Sequence, residues 1–130
     1  GLVVSLSLKD KVKFWGFVSQ GKKFELLARS HILVNPSTRE GWGLVNIEAN
    51  AMGTPVVAYN SPGLVDSVKN GFSGVILSKN TPEDLATNVL KVIKNENKFR
   101  TLQKGALLWS RNFSWKKSQR MSLELIQSLY

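Results

Sequence analysis

The chain has 130 residues, 42% of them hydrophobic and 21% charged, with a net charge of +9, one histidine and no cysteine. That is the size and balance of one globular domain with a buried core, and it excludes disulfides and thiolate metal sites. No apolar stretch approaches the roughly 18 residues of a membrane-spanning helix. In chain order, Val3, Val4, Leu6 and Leu8 read as a strand by propensity. A strand follows over 12–15, a loop over 16–22, and a helix over 23–29 with Phe24, Leu27 and Ala28 on one face. Residues 32–35 read as a buried strand stopped by Pro36, and 44–52 as a helix closed by Gly53. A strand over 56–59, a short helix over 64–69 and a strand over 74–77 come next. Thr81-Pro82-Glu83-Asp84 starts a helix: Thr81 can cap it, Pro82 suits the first position, and the two acids suit the dipole. Two further helices cover 96–111 and 115–129, the last capped by Ser114. Strands alternating with helices imply an α/β fold, a parallel sheet with helices on both faces.

The segment 37–63, STREGWGLVNIEANAMGTPVVAYNSPG, carries the chemistry. Glu40 and Glu48 stand eight positions apart, with Gly41-Trp42-Gly43 and a helix start between them. Glycines at 41 and 43 let the backbone come close to a ligand. The first amides of the following helix, from Leu44 and Val45, have no partners within the helix and favour a negative group such as a diphosphate. Glu40 precedes the turn and would face the ligand's phosphate or sugar end. Glu48 lies about one turn inside the helix. A carboxylate there repels phosphate but can accept from two vicinal hydroxyls, as on a ribose. A sugar nucleotide has these parts in that order. Each residue alone has a plainer reading: a turn for the glycines, a solvated helix position for Glu48, a helix start for Glu40. The joint pattern with its flanking strands favours the ligand.

The charge is lopsided. Residues 91–130 hold nine basic and two acidic side chains, so +7 of the net +9 lies there. The plain reading, a solvated face of the terminal helices, is favoured over contact with an anionic membrane surface. Nucleic acid is not expected as a partner, because Trp109, Phe113 and Trp115 fall where helix packing would use them rather than interleaved with the basic residues.

The stretches VKFWGFV, LLARSHILVNPS, EGWGLVNIEANAMGTPVVAY and NGFSGVIL, and the closing FSW before a last helix, resemble retaining glycosyltransferases of the GT-B, family 4 class. Such enzymes have two Rossmann-like domains across a cleft. This chain resembles the C-terminal one, which binds the nucleotide sugar; the N-terminal one mostly holds the acceptor. The resemblance implies transfer of a sugar from a nucleotide sugar to a glycan or lipid-linked acceptor, with no metal and no other cofactor. It implies a helix, not a strand, for the opening residues. It puts Glu40 at the transferred sugar as the catalytic carboxylate. It gives the backbone amides of Gly41, Trp42, Gly43, Leu44 and Val45 to the sugar and diphosphate, Glu48 to the ribose, and the loop Gly16, Phe17 and Val18 to the base. Ser37 would line the pocket or serve a plain turn, and His31 is read as structural.

The departures from the family pattern matter as well. Its first strand, glycine loop and the Arg and Lys that clamp the diphosphate have no counterpart here. Where many members have Gly-Gly and a Glu, this chain reads Asn60-Ser61-Pro62-Gly63 with Asp66 near the acid's place. The chain opens with Gly1 in mid-pattern, so it is expected to be a single domain, 1–130, cut from a longer protein and inactive alone. The absence of cysteine fits a cytoplasmic setting, with peripheral contact to a membrane left to the basic end. Two other readings stand beside the transferase: a nucleotide-sugar-binding or epimerase-type module, and a basic polyanion- or membrane-surface-binding domain whose glycine turn is incidental.

Overall fold

The computed structural model describes residues 1–129. Three short parallel strands form its sheet: β1 (Leu33–Asn35), β2 (Val56–Ala58) and β3 (Gly74–Ile76), in the order β1-β2-β3. Val34, Val57 and Val75 lie side by side across it. Parallel neighbours cannot be joined by a tight hairpin, so each link crosses over through a helix. These are α3 (Leu44–Ala51) between β1 and β2 and α4 (Leu64–Ser67) between β2 and β3. Ahead of the sheet stand α1 (Leu2–Ser5) and α2 (Gln20–Arg29); behind it come α5 (Pro82–Ile93), α6 (Glu96–Ser110) and α7 (Trp115–Gln127).

Successive side chains of a strand point to opposite faces, and all three residues of β2 are buried. Helices therefore cover both faces at the centre of the sheet. At β1 the expected double cover is incomplete: Leu33 and Asn35 are half-buried, but Val34 is 40% exposed on the other face. The core joins Leu27 of α2, Ala49 of α3, the β2 valines, Tyr59, Leu64 of α4, Val68 and Leu77, with Phe24, Leu85 and Val89 packed against it. Burying each large aliphatic side chain there is worth about 1.5–3 kcal/mol.

Capping explains the helix starts. The side chains of Ser19, Thr81, Asn95 and Ser114 accept from the amides of Lys22, Asp84, Lys98 and Lys117. Thr81 and Ser114 do so as the sequence implies. Ser19 starts α2 at Gln20, three residues before the expected Lys23. Asn95 caps α6 and thereby separates it from α5. Lys91 and Lys98 thus lie on different helices and do not share the face that one continuous helix would give them.

One expectation fails for want of a partner. Residues 12–15 form no strand: a strand needs a neighbouring ladder, and no backbone hydrogen bond joins 13–18 to the free edge of β1. Phe14 and Trp15 are exposed in an irregular segment, the Trp15 ring facing the Lys13 and Lys22 ammonium groups, 3.7 and 5.2 Å from its centroid. The opening residues form the short α1, the helix that the resemblance implies, and not the strand that propensity alone favours. Trp109 and Phe113 pack as expected, but Trp115 is 87% exposed, and α7 buries none of its described residues.

Candidate functional site

In an open parallel sheet the carboxyl ends of the strands present their loops to one side, where ligands bind. Here the loops are 36–43 after β1, 59–63 after β2 and 77–81 after β3. They are laced together. The Ser61 hydroxyl donates to the Ser37 carbonyl at 2.8 Å, and the Ser37 amide donates to Asn35 Oδ1 at 3.2 Å. The Asn60 amide donates to Asn80 Oδ1 at 2.7 Å, and Asn80 Nδ2 donates back to the Asn60 carbonyl at 2.8 Å. In the third loop the Lys79 amide donates to the Asp84 carboxylate at 2.9 Å and the Ser78 hydroxyl at 3.2 Å. The Lys79 amide first, and the Ser78 groups after it, hold that carboxyl below its usual value.

The first two loops also meet by direct backbone contact. Gly63 has φ +81°, and a Cβ there would stand 2.5 Å from the Glu40 carbonyl oxygen and 2.8 Å from that of Gly41. Only a residue without a side chain lets 61–63 lie this close beneath 40–41. Gly43, at φ +75°, starts α3 from the left-handed region. Its reason differs from the one expected. A Cβ would not block a ligand but would point inward, 2.8 Å from Asn46 Nδ2 and 3.0 Å from Leu64 Cδ2. Gly41 is the glycine with open space around it.

This turn leaves an unusual run of donors. Among the described residues, the amides of Gly41, Trp42, Gly43, Leu44 and Val45 have no hydrogen-bond acceptor; the first paired one is Asn46, which donates to the Gly43 carbonyl at 2.9 Å. Gly43 offers no capping side chain, and no acidic residue stands in the first turn of α3. Unpaired amides at a helix start, beside the positive end of its dipole, are donors of the kind that anions accept from. The flanking carboxylates differ. Glu40 is exposed and has no hydrogen-bond or ion-pair partner among the described residues. Glu48 is half-buried, and its Oε1 accepts from the Lys23 ammonium of α2 at 2.7 Å. Among the described residues Oε2 of Glu48 has no partner. The Lys23–Glu48 pair is part-exposed and worth at most about 1 kcal/mol, but it ties α2 to α3 and orients the carboxylate.

The structure therefore gathers Glu40, Gly41, Trp42, Gly43, Leu44, Val45 and Glu48 on one loop-and-helix unit. It does not join Gly16, Phe17 and Val18 to them by any hydrogen bond. That loop leads into α2, with Gly16 and Phe17 exposed and Val18 half-buried. The Trp42 ring turns away from the rim and packs edge-on against Phe113 at 4.8 Å, which in turn meets Trp109 at 5.1 Å. Beside this trio runs a mostly apolar groove of about 690 Å³, lined by Leu44, Ile47, Trp115 and Met121 with Asn112, Ser114 and Lys117 among them. His31 packs its ring against Phe99 on α6, 5.9 Å away. Ser37 serves the loop, its hydroxyl donating to the Arg39 carbonyl at 3.1 Å. Among the described residues no group of three or more His, Asp or Glu side chains is placed to hold a metal ion.

Residues 2–109 match the model of the family described as glycosyl transferases group 1. The chain belongs to the group 1 glycosyl transferases. A D-inositol 3-phosphate glycosyltransferase of Nocardioides sp. is 37% identical to it over 114 residues, 88% of this chain and 25% of that protein. Among solved structures, sucrose-phosphate synthase from Thermosynechococcus elongatus superposes with a TM-score of 0.88 at 29% identity, over 98% of this chain and 32% of that one. HepE of Anabaena, crystallised in complex with UDP-glucose, gives 0.85 at 27% identity, over 97% of this chain and 35% of that one. These neighbours are GT-B glycosyltransferases, so the α/β, Rossmann-like architecture expected from the sequence holds for this group 1 chain. The chain spans about a quarter of the length of the curated relatives it matches. Within the described residues no helix is long and apolar enough to cross a membrane.

Residues that sequence reasoning passed over complete the picture. Lys23, Gly63 and Ser67 act on the site from other elements, and Asn46 from the inner face of α3 itself. A trace of them was visible: Asn46 and Asn50 sit on the same helix face as Ala49, where an inward-facing residue should be apolar.

Proposed function

We propose that this chain is the donor-binding part of a retaining, family 4 type glycosyltransferase, in which the 41–45 amides hold the diphosphate of a nucleotide sugar. The observation that carries the reading is the run of five unpaired amides between one free carboxylate and one oriented carboxylate. In this reading Glu40 lies at the transferred sugar and accepts from its hydroxyls. Glu48, oriented by Lys23, accepts from the ribose hydroxyls through Oε2. Gly16, Phe17 and Val18 border the base. The amides stabilise the charge that grows on the leaving diphosphate as the glycosidic bond breaks, a role that needs fixed dipoles and no metal. The UDP-glucose complex of the similar HepE supports a nucleotide sugar as the ligand class.

Transfer also needs an acceptor held against the donor. We assign that to a further domain of the same polypeptide, with a glycan or lipid-linked sugar as acceptor, so residues 1–130 alone bind donor without transferring it. Isothermal titration with UDP, GDP and ADP tests the reading. It predicts saturable binding of at least one diphosphate in the high micromolar to millimolar range, because one domain supplies only half a cleft. Equal, non-saturating heats for all three would refute it.

A further inference from the structure

The polar side chains buried beneath the rim form one directed line. Asn35 Nδ2 on β1 donates to Asn46 Oδ1 at 3.0 Å, and Asn46 Nδ2 donates to Ser67 Oγ at 2.9 Å. The Ser67 hydroxyl, its oxygen already accepting, has one proton for the Gly63 carbonyl at 3.1 Å or the Leu64 carbonyl at 3.3 Å, and the Ser67 amide also donates to the Gly63 carbonyl at 3.2 Å. Asn46 and Ser67 have no solvent exposure. From the other side Trp109 Nε1 donates to the Ser67 carbonyl at 2.9 Å, which ties α6 to the same point. Gly63 is the residue whose missing side chain lets its loop underlie the Glu40 and Gly41 carbonyls. The far end of the line is therefore the seat of the turn that carries the free amides.

Packing alone does not call for this arrangement. Apolar side chains of similar size would fill the same space at little or no cost in stability, whereas a half-satisfied polar network is costly. What a directed chain of hydrogen bonds supplies is position. We propose that Asn46 and Ser67 are positioning residues of the phosphate site: together they fix Gly63, and through it the orientation of the 41–45 amides. This rests on the nucleotide-sugar reading of that site.

The test compares two buried hydroxyl deletions. Ser67→Ala removes the hydroxyl's bond to the Gly63 carbonyl, which then keeps only the Ser67 amide at 3.2 Å, and leaves Asn46 Nδ2 without its acceptor. Thr54→Val removes a bond of the same kind far from the rim, from Thr54 Oγ1 to the Leu27 carbonyl at 2.6 Å. Three quantities are measured in each: thermal midpoint, UDP affinity, and ligand-free ¹⁵N relaxation of the amides of 40–45. Expected is a lower midpoint in both, with UDP affinity down about tenfold, the worth of one positioned hydrogen bond, and loosened 40–45 amides only in Ser67→Ala. A Ser67→Ala variant that keeps affinity and loop order, or a Thr54→Val variant that loses them equally, overturns the proposal. If Ser67→Ala does not fold, Ser67→Cys keeps a side chain in place with only a weak S–H donor, and is judged by the same readouts. If the parent chain binds no UDP, the nucleotide reading falls by itself; the positioning role is then decided by the ligand-free relaxation, and unchanged amides in Ser67→Ala overturn it.

Discussion

Replacing Gly63 by alanine probes the joint between the two loops directly. The added Cβ would stand 2.5 Å from the Glu40 carbonyl oxygen and 2.8 Å from that of Gly41, where ordinary contacts begin at 3.4 Å, so the loops must part by nearly an ångström. The backbone at φ +81° adds strain for any L side chain, about 1–3 kcal/mol. Both neighbours are backbone and cannot swing aside as a flexible side chain would. The total, about 2–4 kcal/mol, is below the 5–15 kcal/mol stability of a typical domain, so Gly63→Ala should fold but unfold earlier in urea. Its larger effect should be on the ligand: a displacement of this size at a positioned site can cost about a hundredfold. Urea denaturation and titration with UDP read the two effects separately. A Gly63→Ala variant that binds UDP as the parent does would refute the reasoning, whatever its stability, since the amides would then not depend on the seat beneath them.

Glu48→Gln keeps the size of the side chain but loses a charged acceptor; UDP affinity should fall by about 1.5–3 kcal/mol with the fold intact, and unchanged binding of UDP, GDP and ADP would remove the ribose role. Trp42→Ala breaks up the aromatic trio with Phe113 and Trp109, and should cost about 3–5 kcal/mol in urea unfolding together with the near-ultraviolet dichroism of the cluster. For Asp84 the sign follows from its lowered pKa, caused first by the Lys79 amide: the stabilisation is present above the ordinary aspartate value near pH 4 and is lost as pH falls through the folded value. Asp84→Asn should therefore lower the thermal midpoint at pH 7, with the gap to the parent closing below about pH 4; a constant gap down to pH 3 would contradict this. Reversing Lys116, Lys117 and Arg120 should reduce sedimentation with anionic vesicles no more than reversing Lys9, Lys11 and Lys13, the outcome for a solvated face; a selective loss from the first triplet would favour membrane docking.

Much of the fold was legible because its signals are local. Thr81-Pro82 and Ser114 announce helix starts through bonds that span three residues, and the run 56–59 between Pro55 and Asn60 reads as a strand, observed over Val56–Ala58. The misreadings come from dependence on distant partners. Residues 12–15 have every propensity for a strand, but a ladder needs a neighbour that the sheet edge does not provide. Ser19 competes with Lys23 for the start of α2, and only the observed hydroxyl-to-amide bond decides between them. At the site the same division holds. Glu40, the glycine turn and Glu48 stand in one short segment and could be read together. Lys23 meets Glu48 across 25 residues, and Ser67 meets Asn46 across 21, pairings that no periodicity encodes. At Gly43 the lack of a side chain serves Asn46 and Leu64 inside the protein, a packing reason that only the folded chain reveals.

The most direct measurement of the central claim is a ¹H–¹⁵N titration of the chain with UDP, GDP and ADP, followed at the amides of Gly41, Trp42, Gly43, Leu44 and Val45. The account predicts saturable shifts that are largest at these five amides, extend to Glu48, and disappear when the nucleoside without its diphosphate is used. Shifts that stay linear in ligand concentration, or that concentrate elsewhere on the chain, would contradict it.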